Sequence, residues 1–241
     1  MYRFFEDVSA RNGDYIYLSD KNSHHLFKVL RVEEDEKFEI VIDGNIFTVL
    51  ADMEEIGKCK IIGEHRDTDM KVYIHLYQGL PKSDKLELII QKTCELGVSE
   101  ITPFNSSRTV VKWDKKKEDK KLSRYVEIAE SASKQSKRNR IPKINPSVSF
   151  DEMCSKIEGE MTILAYENDG QSLKKTLNTD YKKISLIIGP EGGFSEEEVK
   201  KLKKHNAKVV NLGRRILRTE TAAIVLTALI QYEIGDLDEK V

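Results

Sequence analysis

From residue 71 onward the apolar pattern alternates between short β-branched runs and longer helical ones. The runs VYIHLYQGL (72–80), VSEITPF (98–104), MTILAYE (161–167), KISLIIG (183–189) and KVVNLG (208–213) read as strands. Between them lie PKSDKLELIIQKTCELG, a basic stretch over 115–139, and SEEEVKKLKKHN, all with helical spacing. TETAAIVLTALIQYEIG (219–235) closes the chain as a helix that is apolar on most sides and is therefore expected to be buried. Ser83 is the expected N-cap of the first of these helices, with Gly97 just past its end. Ser195 followed by Glu198 forms a capping box, and Thr219 is the expected N-cap of the closing helix. Strands alternating with helices require a parallel sheet covered on both faces, and such sheets bind ligands at the carboxyl ends of their strands. No internal repeat or low-complexity tract interrupts the pattern.

Residues 1–70 follow a different period. FEIVI, IFTVL and CKII alternate in the manner of half-buried strands, with an Asp43-Gly44-Asn45 turn between the first two. HHLFKVL (His24–Leu30) reads as one short helix. The chain thus divides into a small β barrel or sandwich over 1–70 and an α/β domain over 71–241.

Taken as a sum, the net charge of −1 argues against a nucleic-acid partner, but it hides an asymmetry. Residues 1–70 hold 9 Lys plus Arg against 16 Asp plus Glu, whereas residues 112–143 hold 12 against 5. Within the basic segment, SASKQSKRNRIPK sets its bases among Ser, Gln and Asn, the residue types that contact phosphate and sugar. The other reading is a solvated helix face with interspersed acids, as in KKKEDKKLSRYVE upstream. The acidic first domain is not expected to grip RNA by charge, but a few of its bases (Arg3, Arg11, Lys28 and Arg31) can orient it. No run approaches 18 apolar residues, so no membrane span is expected, and the opening MYRFFEDVSARNGDY has no signal-peptide core. Cys59, Cys94 and Cys154 lie far apart and are expected as reduced, buried thiols of a cytoplasmic protein. His24, His25, His65, His75 and His205 show no ligand spacing, so no metal is expected.

Two loops after the last two strand runs hold the unusual residues. GPEGGF (Gly189–Phe194) allows positive φ and close approach of backbone to a ligand, and it leads into a helix N-terminus. It is neither GxGxxG nor GxxxxGK[ST], so a nucleotide-phosphate role has little support, and a tight turn without ligand is the other reading. NLGRRILRTETAA places Arg214, Arg215 and Arg218 where a helix N-terminus opposes positive charge, which calls for anionic partners. These are an acidic side chain, a ligand carboxylate or RNA; a structural pair with Glu191 or Glu220 is the plainest case. Phe194 packs on a ligand or on the core.

LIIGPEGGFSEEEV followed by LGRRILRTETAAI resembles the signature of the bacterial 16S rRNA (uracil-N3)-methyltransferase family of the SPOUT superfamily. RFF (Arg3–Phe5), HLFKVLR (His25–Arg31) and Asp43–Gly44 resemble its N-terminal PUA-like β-barrel, and LPKSDKLELIIQKTCELGV the opening of its catalytic domain. ASKQSKRNRIPKI resembles its EQ-x-x-R-x-x-x-P stretch, with Lys134 in place of the usual Glu. The similarity runs through nearly the whole chain in order. It implies an α/β SPOUT methyltransferase domain with a C-terminal trefoil knot, preceded by a small PUA-like β-barrel domain that binds RNA. It further implies S-adenosylmethionine (S-adenosyl-L-methionine) as cofactor, no metal, 16S rRNA as substrate, within the 30S subunit, and a homodimer, for which the long apolar closing helix fits a dimer surface as well as a core helix. The cofactor loops of the superfamily match Leu164, Ala165, Tyr166 and Glu167; Ile188, Gly189, Pro190, Glu191, Gly192 and Gly193; and Asn211, Leu212, Gly213, Ile216, Leu217, Arg218, Thr219 and Thr221. RNA contacts are expected from Arg3, Arg11, Lys28, Arg31, Gln135, Arg138 and Arg140.

Uracil N3–H is a weak acid and must lose its proton before nitrogen can attack a methyl group. The site therefore needs a base or a cation that stabilises charge developing on the ring. Arg218 is the candidate cation, and Glu220 a candidate base or an anchor for Arg218. Two further readings stay open: a SPOUT methyltransferase acting on another RNA such as tRNA, and a non-catalytic RNA-binding module.

Overall fold

The protein is described by a computed structural model over residues 1–66, 72–111, 115–157, 161–177, 181–234 and 237. It divides into two compact units, Met1–Asp69 with Ser133–Arg140, and Met70–Ala132 with Ile141–Val241.

The first unit is built on strands β1 (Arg3–Phe5), β2 (Arg11–Asn12), β3 (Tyr15–Tyr17), β4 (Phe38–Ile42), β5 (Asn45–Ala51) and β6 (Lys58–Arg66), in the spatial order β1–β4–β5–β6–β3–β2. Among its described residues only β1 and β4 pair in parallel. Asp43 and Gly44 both take positive φ (46° and 79°) and make the two-residue hairpin, so Asn45 opens β5 instead of completing the turn. The alternation sends Phe38, Ile40, Phe47 and Val49 into a core shared with Phe4, Ile16 and Leu26. The helix expected over His24–Leu30 starts earlier, as α1 (Asp20–His24), and continues as a π-helical turn over His25–Leu30. Its first turn is held by the buried Asn22 amide, which donates to Phe5 O and Glu6 Oε1. Apolar spacing carries no trace of such a bond.

Ser133–Arg140 packs in this unit. Arg3 Nε donates to Glu39 at 2.9 Å, and its guanidinium also donates to the Lys137 carbonyl. Lys137 Nζ lies 3.7 Å from Glu39 and donates to Met1 O, and Lys134 Nζ donates to Asn22 Oδ1 while sitting over the Phe4 ring. Part of the basic segment thus engages the acidic unit itself.

The second unit is a parallel sheet. In chain order it comprises β7 (Tyr73–Gly79), α2 (Lys85–Glu95), β8 (Glu100–Asn105), α3 (Lys115–Gln135), β9 (Lys143–Ile144), β10 (Val148–Ser149) and α4 (Phe150–Lys156). There follow β11 (Met161–Ala165), β12 (Gln171–Ser172), α5 (Leu173–Thr176), β13 (Lys183–Ile188), α6 (Glu196–Lys204), β14 (Lys208–Asn211) and α7 (Thr219–Glu233). Among the described residues the order is β10–β8–β7–β13–β11–β14–β12, with β9 beside β8 and every pairing parallel. Alternate residues feed two cores. Ile74, Leu76, Ile163 and Leu186 pack under α2, α3 and α7, whereas Tyr77, Leu164 and Ile187 pack under α4 and α6. The β-branched runs are apolar on both sides for this reason.

Three helix termini differ from expectation. Ser83 takes φ 56°, so Asp84 is the N-cap of α2, without a side-chain cap bond. α3 stops at Gln135, and Lys137 at φ 61° keeps the helix from reaching 139. Arg218 occupies the N-cap of α7 because the Thr219 hydroxyl is engaged elsewhere. Ser195 and Glu198 form the expected capping box. α7 buries one face only, through Ala223, Leu226 and Ile230; Leu229 and Tyr232 on its other side are exposed, which corrects the expectation of a wholly buried helix. Its apolar character exceeds what packing within one chain uses. All three cysteines are free and buried, and burial pushes the Cys59 thiol up to about 12 and the Cys154 thiol to about 11.

Candidate functional site

β11, β13 and β14 are neighbours, and their carboxyl ends deliver three loops to one cleft of about 410 Å³. Its lining includes Ala165 and Glu167 from the first loop, Ile188, Gly189, Pro190, Glu191, Gly192 and Gly193 from the second, and Ile216, Leu217, Arg218 and Thr219 from the third. Tyr166, Asn211, Leu212 and Gly213 line an adjoining hollow of about 60 Å³, which shares Ala165, Glu167, Ile216 and Leu217 with the cleft. Leu164 is wholly buried in the core and lines neither, and Thr221 lines neither. Sixteen residues separated in sequence are thereby gathered in one place.

Hydrogen bonds hold the three loops in register. Tyr166 N donates to Val210 O at 3.1 Å, and Asn211 Nδ2 donates to Glu167 O at 3.2 Å. The Thr219 hydroxyl donates to Gly189 O at 2.7 Å and accepts from the Gln78 amide at 2.9 Å. Gly79, at the carboxyl end of the central strand β7, is demanded by close approach: a Cβ there would lie 2.4 Å from Pro190 N. Gly193 turns at φ 65°, and a Cβ on it would come within 3.4 Å of Glu167 Oε1. The glycine loop therefore presents bare backbone toward a carboxylate. Phe194 is buried and stacks on Phe104 with ring centroids 6.1 Å apart, so its main role is core packing.

The charges are arranged differently from the simplest expectation. Glu191 and Glu220 pair with Lys85, not with the arginines: Nζ lies 2.9 Å from Glu191 Oε1 and 3.5 Å from Glu220 Oε2. Glu191 also accepts the Lys82 N–H. Partial burial pushes the Glu191 carboxyl up, but its hydrogen bonds, led by that from Lys85, outweigh burial and hold it below the usual carboxylate range. The same bond raises the Lys85 ammonium above its ordinary value. Glu220 Oε2 is buried and makes no hydrogen bond. Arg214, Arg215 and Arg218 are exposed and pair with no described residue. Lys85, Gln78 and Arg108, whose guanidinium donates to Gly192 O at 3.1 Å, were not legible as site residues. Each lies far from both loops in sequence, and the only local sign was a lysine in the first turn of α2, where the helix dipole disfavours it.

All seven residues expected to meet RNA fall in the first unit. Arg11, Lys28, Arg31, Gln135 and Arg140 are exposed. Arg3 and Arg138 are buried, and Arg3 is tied to Glu39 and Lys137; both belong to the packing of the unit, not to its surface. Arg140 instead lies against the β4–β5 turn, its Nε 3.5 Å from where a Cβ on Gly44 would stand. Among the described residues no group of three or more His, Cys, Asp or Glu side chains is placed to hold a metal, and no helix is long and apolar enough to cross a membrane.

Residues 68–231 match the family described as RNA methyltransferase domain, and residues 18–64 that described as RNA methyltransferase PUA domain. The Ribosomal RNA small subunit methyltransferase E of Bacillus subtilis is 35% identical, with 97% of each chain covered. The protein of that name from Buchnera aphidicola (subsp. Acyrthosiphon pisum) is 32% identical, over 97% of this chain and 93% of its own. A crystal structure of Ribosomal RNA small subunit methyltransferase E from Neisseria gonorrhoeae bound to S-adenosyl methionine superposes with a TM-score of 0.86 at 30% identity, covering 97% of this chain and 98% of that one. With an α/β fold of this topology and a cleft where that fold places ligands, the chain belongs to the ribosomal RNA small subunit methyltransferase E family.

Proposed function

We propose that this protein transfers a methyl group from S-adenosylmethionine to N3 of a uridine in the 16S rRNA of the small ribosomal subunit. The observation that carries the reading is the cleft formed by three loops at the carboxyl ends of adjacent parallel strands, in a chain of this family. The cleft fits the cofactor. Its volume lies in the range of small-molecule sites, Ile188, Ile216 and Leu217 offer apolar walls to a flat adenine, and the turn at Gly193 leaves backbone uncovered where a side chain would fill the space. When bound, the cofactor supplies an electrophilic methyl carbon.

The chain's own residues do the rest. Backbone groups of Gly189, Gly192 and Gly193 and of the 211–219 loop hold the cofactor. The Arg218 guanidinium, exposed and without a partner among the described residues, forks onto uracil O2 or O4 and stabilises the charge that builds as N3 loses its proton to solvent. Glu220 serves as an anchor within the Lys85 pair, a role its burial and the 3.5 Å approach of Nζ favour over that of a free base. RNA is oriented by the first unit through Arg11, Lys28, Arg31, Gln135 and Arg140. We further infer the domain division near residue 70, a trefoil knot formed by the three loops and α7, a homodimer joined through the outward apolar side of α7, and a cytoplasmic enzyme acting on the 30S subunit. The half-exposed Leu229 and Tyr232 support the dimer.

Single-turnover methylation of unmodified 16S rRNA by Arg218→Ala tests the central role, with cofactor affinity measured by calorimetry. A rate lowered by about 10²-fold or more at saturating cofactor and RNA is expected. An unchanged rate would remove Arg218 from the chemistry.

A further inference from the structure

The described charged groups at the cleft are Lys85, Glu167, Glu191 and Arg218 on its lining, with Glu220 paired to Lys85 and Arg108 bonded to Gly192 O. Three cations and three carboxylates thus meet there. The pairing between them is one-sided: Lys85 alone approaches both Glu191 and Glu220, and Arg218 approaches neither. Lys85 reaches the cleft from α2, whereas the two acids come from the glycine loop and from α7. Glu220 Oε2 is buried without a hydrogen bond, so the Lys85 ammonium is the near cation that offsets it. The Lys85 side chain remains about one-third exposed.

We infer that Lys85 is a positioning residue of the methyl transfer: by neutralising Glu191 and Glu220 it prevents their charge from opposing the negative uracil that forms beside Arg218. The inference rests on the proposed uracil methylation at this cleft. Loss of Lys85 leaves the cleft one unit more negative. An excess of negative charge penalises the anionic uracil but does not repel a sulfonium cation. A split therefore follows that loss of a simple structural tie does not produce. The chemical step slows, while cofactor affinity holds or rises.

The test compares wild type, Lys85→Met, Lys85→Arg and the double variant Lys85→Met/Glu191→Gln, in the full chain. The readouts are single-turnover methylation at saturating cofactor and rRNA, cofactor Kd by calorimetry, and Tm. Lys85→Met is expected to slow the chemical step at least tenfold with a cofactor Kd no weaker than wild type. Lys85→Arg should keep most of the rate, and the double variant, which restores the original net charge, should recover a large part of it. A Lys85→Met rate equal to wild type overturns the inference, as does a weakened Kd with an unchanged chemical step, or a loss that Glu191→Gln does not relieve. If Lys85→Met does not fold, Lys85→Gln takes its place under the same criteria. Failure of the wild type to methylate rRNA would instead overturn the underlying reading of the site.

Discussion

Thr219→Val tests how the site is held together. The Thr219 hydroxyl is buried and joins two elements: it donates to Gly189 O at 2.7 Å and accepts from Gln78 Nε2 at 2.9 Å. Valine keeps the shape and removes both bonds. The Gln78 amide retains its other acceptor, Gly79 O, at 2.9 Å, so the heavier loss falls on the Gly189 carbonyl. Each lost hydrogen bond costs about 1 kcal/mol, for a total of roughly 2 kcal/mol. In a unit of this size that corresponds to a Tm lowered by about 4–8 °C. Gly189 also lines the cleft, so release of its carbonyl should weaken cofactor binding by about tenfold, ~1.4 kcal/mol. Calorimetric unfolding and cofactor titration read the two effects, and Thr219→Ser, which keeps the hydroxyl, serves as control. A Thr219→Val protein with wild-type Tm and wild-type cofactor affinity would refute this account of how α7 and the glycine loop are locked.

Two further outcomes are expected. Arg140→Glu should weaken rRNA binding and reduce its salt dependence without changing cofactor affinity or Tm, because Arg140 is exposed; Arg138→Glu, at a buried position, should lower the Tm of the first unit instead. Equal filter-binding affinities for Arg140→Glu and wild type would remove Arg140 from the RNA surface. At the opposite end of the sheet, burial depresses His75 to about 4, against a smaller upward pull from Glu100, so the folded chain binds fewer protons than the unfolded one between pH 6.5 and 4. Stability should fall by about 3 kcal/mol as pH drops through that window, and the fall should be largely absent in His75→Gln. Urea midpoints at pH 7, 5.5 and 4 measure this, and parallel slopes for variant and wild type would contradict it.

Local chemistry that repeats along the chain was readable in advance. The β-branched runs of the second unit, the Asp43–Gly44 turn and the Ser195–Glu198 capping box each depend on residues a few positions apart, so their patterns survive in one dimension. The two loops were also legible, because glycines after a buried strand and arginines before an apolar helix are locally costly. Where local rules failed, a left-handed backbone turn, as at Ser83, or a distant partner had intervened. Ser83 does not cap α2, and Thr219 yields the α7 cap to Arg218 because its hydroxyl engages Gly189 and Gln78. The basic character of 134–140 read as an RNA footprint, yet Lys134 and Lys137 bond within the first unit and Arg138 is buried.

By itself, then, the order of residues determined the parallel α/β unit, the β unit before it and the two loops of the cleft, since hydrophobic period and backbone freedom are properties of neighbours. Tertiary structure decided which charges meet. Lys85 stands more than a hundred residues from Glu191 and Glu220, and only the sheet order that brings α2 beside the glycine loop and α7 makes it their counter-ion. Charge interactions fall with distance in space and take no account of distance along the chain, so the electrostatics of the site did not exist until the fold had formed.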